Sequence, residues 1–434
     1  MRSTLAVLFL LCAAATGSAQ SRPQAYVGAQ IIPISGPVIS NGVLVVHRGK
    51  IVAVGPAAST AIPQDAERHD ATGKVIMPGL IDSHSHIGGG SGGDSTAALQ
   101  PDVRVLDSIN ARDTGFQRAQ AGGITTANVM PGSSLLLSGQ TVYVKYKDGK
   151  VLDDIAIKDA QGNILGGLKM ANGTNSIRPS GPLPGTRSKS AALVREQFLK
   201  AIDYRERVRR ANNDPAKMPP RDLGLEALVE VLDGRRTVHY HTHRHDDILT
   251  AIRTAKEFGF RPVLHHLSEG WKVADEIARS GLPASITVVD SPGGKIEAVD
   301  ASLETGAALE RAGVLVAFHT DDYITDSRFF LRSAALSVRA GMSREKALYG
   351  LTMANARILN LQDRIGSLER GKDADFIILS GDPLSVYTHV LETYVEGVKV
   401  FDRSNPEDRL FAVGGYGASR DQVVHLHHEQ EDNR

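Results

Sequence analysis

Between residues 124 and 322 the chain keeps restating one phrase, a short apolar strand and then a helix-forming stretch stopped by glycine. The strands read GGITTANVM, RRTVHYH, FRPVLHH, PASITVVD and AGVLVAFHTDD. Between them run DDILTAIRTAKEFG, WKVADEIARSG and ASLETGAALERAG, with helical spacing of apolar residues and a closing Gly. Such alternation leaves few architectures. Parallel strands need a crossover to return them, and repeated strand–helix units roll most simply into a (β/α)8, TIM-like barrel. Outside this region GVLVVHRGKIVAVG (42–55) reads as a hairpin, and GKDADFIILSGDP and TYVEGVKVFD have the same strand-turn-strand character. The expected fold is therefore α/β. A barrel over 79–356 would carry a small β-sandwich built from 20–78 and 357–403, with a polar tail over 404–434. A chain of 434 residues is long enough for both parts.

The strands also agree in how they end. MPGLIDSHSH closes on His84 and His86, RRTVHYH on His239 and His241, FRPVLHH on His265 and His266, and AGVLVAFHTDD on His319 and Asp321. Alternate strand residues share a face, so His84 and His86 point one way and Ser85 the other. Barrel active sites are assembled from the C-terminal ends of several strands. A lone histidine is usually a hydrogen-bonded core residue, but four strands ending this way at one register point to a shared cation. HYHTHRHDD is denser in histidine than one ligand requires, so His243 and His245 are open to substrate contact, proton relay or simple solvation. His425, His427 and His428 read as part of a solvated tail.

Composition narrows the setting. Hydrophobic residues make up 41% and charged residues 23%, the formal net charge is zero and the pI is near 7.3. That balance is ordinary for a folded soluble protein and invites neither nucleic acid nor an anionic membrane surface. MRSTLAVLFLLCAAATGSAQ has an early Arg2, an apolar run and small residues at Gly17 and Ala19. It reads as a secretory signal peptide over 1–19, which predicts a periplasmic or secreted protein. The only cysteine, Cys12, lies inside it. A mature chain without thiols must build any metal site from nitrogen and oxygen.

PGLIDSHSH, GGITTANVMPGS, the strand-end histidines, HTDD and NARILNLQDRIGSLERGKDADFIIL together resemble the amidohydrolase superfamily, over roughly residues 25 to 403. The likeness is to a secreted branch similar to imidazolonepropionases and metal-dependent dipeptidases. It implies the same barrel with a terminal β-sandwich. It also implies His84 and His86 as the first-strand ligand pair, His241 and His266 as ligands on the fifth and sixth strands, and Asp321 closing the eighth. His239 is then a deeper same-face neighbour of His241. His265 falls on the face opposite His266, as a packing residue, and Asp322 behind Asp321. His319, His243 and Arg244 are the candidate substrate contacts, with Arg178, Arg187 and Tyr204 as weaker ones.

Binuclear relatives bridge their metals with a carboxylated lysine or a glutamate from the third or fourth strand. Here Lys169 is the candidate lysine and Lys145 a weaker one, while Thr174 stands where relatives often carry the glutamate; a plain ammonium for a substrate carboxylate, or a surface residue, are the other readings of Lys169. One or two ions per chain therefore remain open. Zinc is the first expectation, with manganese, nickel and iron compatible by residue type. The chemistry implied is hydrolysis of a C–N bond in a small molecule by a metal-activated hydroxide, with Asp321 as general acid/base. Two rivals are a deaminase using His266 and Glu269 of HLSE, and a binding protein with a degenerate site. The stretch 171–190, rich in Gly, Pro and Ser, reads as a lid.

Overall fold

The computed structural model describes residues 21–89, 94, 96–289, 295–322 and 324–414. The expected signal peptide over 1–19, with Cys12, and the three tail histidines lie outside the described residues. Five strands come first: β1 (Gln24–Ile31), β2 (Ile39–His47), β3 (Lys50–Pro56), β4 (Glu67–Asp70) and β5 (Val75–Pro78). The middle of the chain adds β6 (Leu80–Ser85), β7 (Ile124–Val129), β8 (Leu137–Gln140), β9 (Val142–Lys145) and β10 (Leu168–Ala171). After these come β11 (Val238–Thr242), β12 (Pro262–His266), β13 (Ala284–Ile286) and β14 (Val316–Phe318). The last are β15 (Phe376–Leu379), β16 (Val390–Val395) and β17 (Val398–Asp402).

Strands from both ends of the chain form one eight-stranded sheet, ordered β17-β16-β15-β5-β1-β2-β3 with β4 also on β1. The β2–β3 hairpin turns through Arg48 and Gly49 at φ 50° and 77°, the paired positive angles of a two-residue turn that follows strand twist. One set of its residues buries Tyr26, Leu44, Ile76, Phe376 and Tyr394; Ala25, Val43 and Val45 form a second cluster. Only Gly79 separates β5 from β6, so this sheet delivers the chain directly into the barrel.

The barrel wall has two parallel arcs, β6–β7 and β10-β11-β12-β13-β14. At the seam between β14 and β6, Asp321 N donates to His84 O at 3.0 Å. The Asn355 side-chain amide donates to Ile81 O at 2.5 Å and to Phe318 O at 2.8 Å, tying the strands on both sides. The wall departs from a uniform barrel between β7 and β10. There β9 pairs antiparallel with β7, and β8 antiparallel with β10. Between β7 and β10 the only helix is the single turn Leu152–Ile155, too short for the crossover that a parallel strand would need.

The glycine stops behave as expected. Helices His245–Phe258 and Ala274–Ser280 end on Gly259 and Gly281 in the left-handed conformation. Beyond residue 404, expected to be a polar tail, a helix over Pro406–Val413 starts on the Asn405 cap and packs against Gly115–Ala121. The main apolar core lies between the wall and the outer helices. Inside the wall the composition changes. His84, Lys169, His239, His265 and His319 are all fully buried there, where barrels usually stack branched apolar side chains.

Candidate metal centre

The strand ends bring His84, His86, His241, His243, His266, His319, Lys169 and Asp321 into one polar chamber. Among the described residues three groups have donor atoms within 4.8 Å of one another: His84, His86 and Asp321; His241, His243 and His266; and His84, His265 and His319.

In the first group Asp321 Oδ1 lies 3.0 Å from His86 Nε2 and 3.3 Å from His84 Nε2, and Oδ2 is 3.9 Å from His266 Nδ1. His86 Nδ1 bonds the Met130 carbonyl at 2.8 Å, and a carbonyl only accepts, so Nδ1 carries the hydrogen. On a neutral ring Nε2 is then a lone pair facing a carboxylate. A proton or a cation must stand between them. Lys169 Nζ sits 2.9 Å from His84 Nε2 and 3.1 Å from Met130 Sδ, with no salt-bridge partner among the described residues.

The second group is barer. His243 Nδ1 is held by Ser268 Oγ at 2.7 Å and His266 Nδ1 by Thr287 Oγ1 at 3.3 Å. The buried Nε2 atoms of both rings, and both nitrogens of His241, have no hydrogen-bond partner among the described residues. A buried polar atom left so costs about 1–3 kcal/mol, and four together call for an occupant. In the third group both nitrogens of His319 are taken, Nδ1 by Ser285 Oγ at 2.8 Å and Nε2 by Thr287 Oγ1 at 2.5 Å. His265 Nε2 meets His239 Nδ1 at 3.0 Å, and Tyr143 OH reaches His239 Nε2 at 3.3 Å.

Burial sets the charge of this chamber. It presses His239, His243 and His319 down to about 3, and His84, His241, His265 and His266 well below the ordinary imidazole range. At neutral pH these rings are uncharged lone-pair donors, the form that binds a metal. Burial also lowers the Lys169 ammonium to about 7. For Asp321 burial acts upward, but the His86 bond and the neighbouring charges hold its carboxyl far below the usual carboxylate range. Neutral imidazoles around an ionised carboxylate fit a borderline divalent cation.

Several expectations change. His265 was expected on the face opposite His266, as a packing residue, yet its ring centroid lies 5.1 Å from that of His84. The reason is local: His265 pairs in register with His241 and shares its face, while His266 closes the strand at φ 73° and turns its ring to the same side. Arg244 does not join the cluster as a free cation, because its guanidinium forks onto Asp246 at 2.7 and 2.6 Å. Lys145 points elsewhere, pairing with Asp373 at 3.0 Å and with Asp375. Arg187 pairs with Asp247, Tyr204 with Glu226, and Arg178 donates to the carbonyls of Thr174, Asn175 and Ile177. Glu269, the carboxylate of the deaminase alternative, is engaged by His245 at 2.6 Å and Lys272 at 3.1 Å.

The 171–190 stretch is pinned near its start. The Glu297 carboxylate accepts from Thr174 N at 2.7 Å and lies against Gly173, where a Cβ would come within 2.5 Å of it. Gly173 also sits at φ 75°, so both space and backbone favour glycine. Sequence reasoning missed Ser285 and Thr287, whose hydroxyls hold His319 and His266. Their signal was present, as polar residues at alternate positions in the otherwise apolar PASITVV.

Residues 75–402 match the amidohydrolase family. The crystal structure of an amidohydrolase from Thermotoga maritima MSB8 is similar with a TM-score of 0.80 at 34% identity, covering 87% of this chain and 100% of that one. Amidohydrolase tasK of Hapsidospora irregularis is 27% identical over 395 residues, 83% of this chain; the chain spans only 40% of that protein's length. An imidazolonepropionase of Rhizobium rhizogenes is 27% identical over 386 residues, 81% of this chain and 90% of that one. The matched segment runs from β5, just before the barrel, to the end of β17, and so takes in every strand that carries an imidazole into the chamber. This chain belongs to the amidohydrolase family, as an enzyme acting on carbon–nitrogen bonds.

Proposed function

We propose that the chain hydrolyses an amide, cyclic-amide or dipeptide-like bond of a small molecule, with His84, His86, His241, His266 and Asp321 as the ligand set for zinc and Lys169 beside His84. The observation that carries this is the set of bare, buried nitrogens on His241 and His266 in the chamber where Asp321 meets His84 and His86. Zinc bound there supplies Lewis acidity, polarising a carbonyl and lowering the pKa of water toward about 7. Asp321 takes the proton of the attacking water and delivers it to the leaving nitrogen. Its ionised carboxylate suits the first half of that task, and its position at the β14–β6 seam places it beside both histidines of β6. His319 has both nitrogens occupied, which suits it to orienting its neighbours more than to gripping substrate. The N-terminal leader supports a periplasmic or secreted setting, tested by whether mature protein begins near Gln20.

Metal analysis beside turnover of an amide panel tests the reading. His84→Ala is expected to lose metal and activity together. Asp321→Asn is expected to keep most of its metal while activity falls by about two to four orders of magnitude, the worth of a positioned general base. Near-normal turnover by Asp321→Asn removes the proton path, and a wild-type protein that binds no metal removes the whole reading.

A further inference from the structure

We infer that His243 is a third imidazole ligand, closing with His241 and His266 a cation site that needs no bridging carboxylate. The inference rests on the metal-dependent reading above and gives His243 a task different from substrate contact.

A cation beside the His84–His86–Asp321 group would find only two protein donors in His241 and His266. Structural and catalytic zinc sites hold three or four. Thr174 offers no carboxylate, and the Lys169 amine is turned to His84 Nε2 and Met130 Sδ. His243 makes up the number. It lies two residues beyond His241, directly after the end of β11, and it is buried. Its ring centroid is 4.6 Å from that of His241 and 4.7 Å from that of His266, and the last two are 4.2 Å apart.

The hydrogen bonds give the sharper argument. His243 and His266 follow one pattern: Nδ1 is tied to a hydroxyl, of Ser268 and Thr287 respectively, and Nε2 is buried and bare. A ligating histidine is held this way, its second nitrogen bonded so that tautomer and ring orientation are set. The bare nitrogens do not satisfy one another either, since no hydrogen bond joins any two of the three rings. A histidine meant for substrate would direct that nitrogen toward open space. Donor atoms up to 4.8 Å apart are wider than the roughly 3.3 Å that bonds of about 2.0–2.1 Å impose on a tetrahedron, so each ring would move inward by under about 1 Å.

Zinc stoichiometry of the full-length protein, by equilibrium dialysis against zinc alone with affinities from chelator competition, tests this. Wild type is expected to hold two zinc ions, His243→Ala one and His86→Ala one. Ser268→Ala, which removes only the hydroxyl behind His243, is expected to keep two, with one bound about 10–100-fold more weakly. Cobalt substitution gives a second signature, since His243→Ala should change the visible absorption of one of two cobalt ions. Two zinc ions with unchanged affinities in His243→Ala, accompanied by a raised KM, would return the residue to substrate contact and overturn the inference. If His243→Ala does not fold, unchanged zinc affinities in Ser268→Ala overturn it. A single wild-type zinc, lost in His86→Ala and kept in His243→Ala, overturns the inference while leaving the proposed reaction standing. No zinc at all in wild type overturns both.

Discussion

Lys145, the last residue of β9, and Lys169, the second of β10, are both buried lysines on short strands next to the break in the barrel wall. Lys145 faces two carboxylates, Asp373 and Asp375, from the segment leading into β15, and Lys50 and Arg364 join Asp373 from outside. Burial works against its ammonium, but Asp375 and Asp373 raise it above the ordinary lysine range. Lys169 has an imidazole and a thioether for company, and burial lowers it to about 7. The first lysine fastens the terminal sheet to the barrel. The second stands inside the chamber with its charge poorly supported, the kind of group that burial adapts to chemistry. The lesson is that depth alone does not give a buried cation its task; the partner does.

Exchanging the two lysines' fates would break that comparison. Lys169→Ala is expected to lower turnover sharply while keeping its metal, with Tm unchanged or raised because a buried ammonium that burial disfavours is gone. Release of metal from Lys169→Ala, with activity partly restored by short carboxylic acids, would instead put an oxygen bridge at this position and oppose a His241–His243–His266 site without one. Lys145→Met should do the reverse. It leaves the buried Asp375 carboxylate without a cation and Asp373 with only Lys50 and Arg364, an expected loss of about 3–5 kcal/mol in denaturant unfolding, while the folded fraction keeps its metal. If Lys169→Ala unfolds as readily as Lys145→Met and retains turnover, the contrast is void.

A smaller effect tests the fastening cluster alone. Burial would raise the Asp373 carboxyl, but Lys145, Lys50 and Arg364 hold it down to about 2 from an ordinary 3.8. A depressed carboxyl stabilises the fold above its unfolded pKa and loses that contribution as pH falls through its folded pKa. The window is therefore from about pH 4 down to about pH 2, and the amount about 2 kcal/mol. Unfolding free energies across that range should fall more steeply in wild type than in Asp373→Asn. Parallel curves would assign the acid sensitivity to another group.

Much of this was legible in the chain. The hairpin at Arg48–Gly49 and the left-handed caps at Gly259 and Gly281 follow from turn and cap chemistry, which act over a few residues. The gathering of His84, His86, His241, His266 and Asp321 at one end of the barrel follows from strands that all run the same way. His265 was misread because its face was counted from His266, whose backbone at φ 73° breaks alternation, and not from His241, with which it pairs. The stretch from 131 to 167 contains no helical repeat, which was visible, but its consequence, an antiparallel insertion in the wall, was not drawn from it.

Sequence by itself determined which residue types end each strand and on which side of a regular strand they lie, because both follow from local backbone geometry. Only the tertiary structure decided who meets whom across the barrel. Lys145 and Asp373 are 228 residues apart, and Lys169 and His84 are 85 apart. The same holds for the hydroxyls of Ser268 and Thr287, which leave the Nε2 atoms of His243 and His266 bare. Contacts of that range depend on how the whole wall closes, and no local pattern encodes the partner a buried side chain will find.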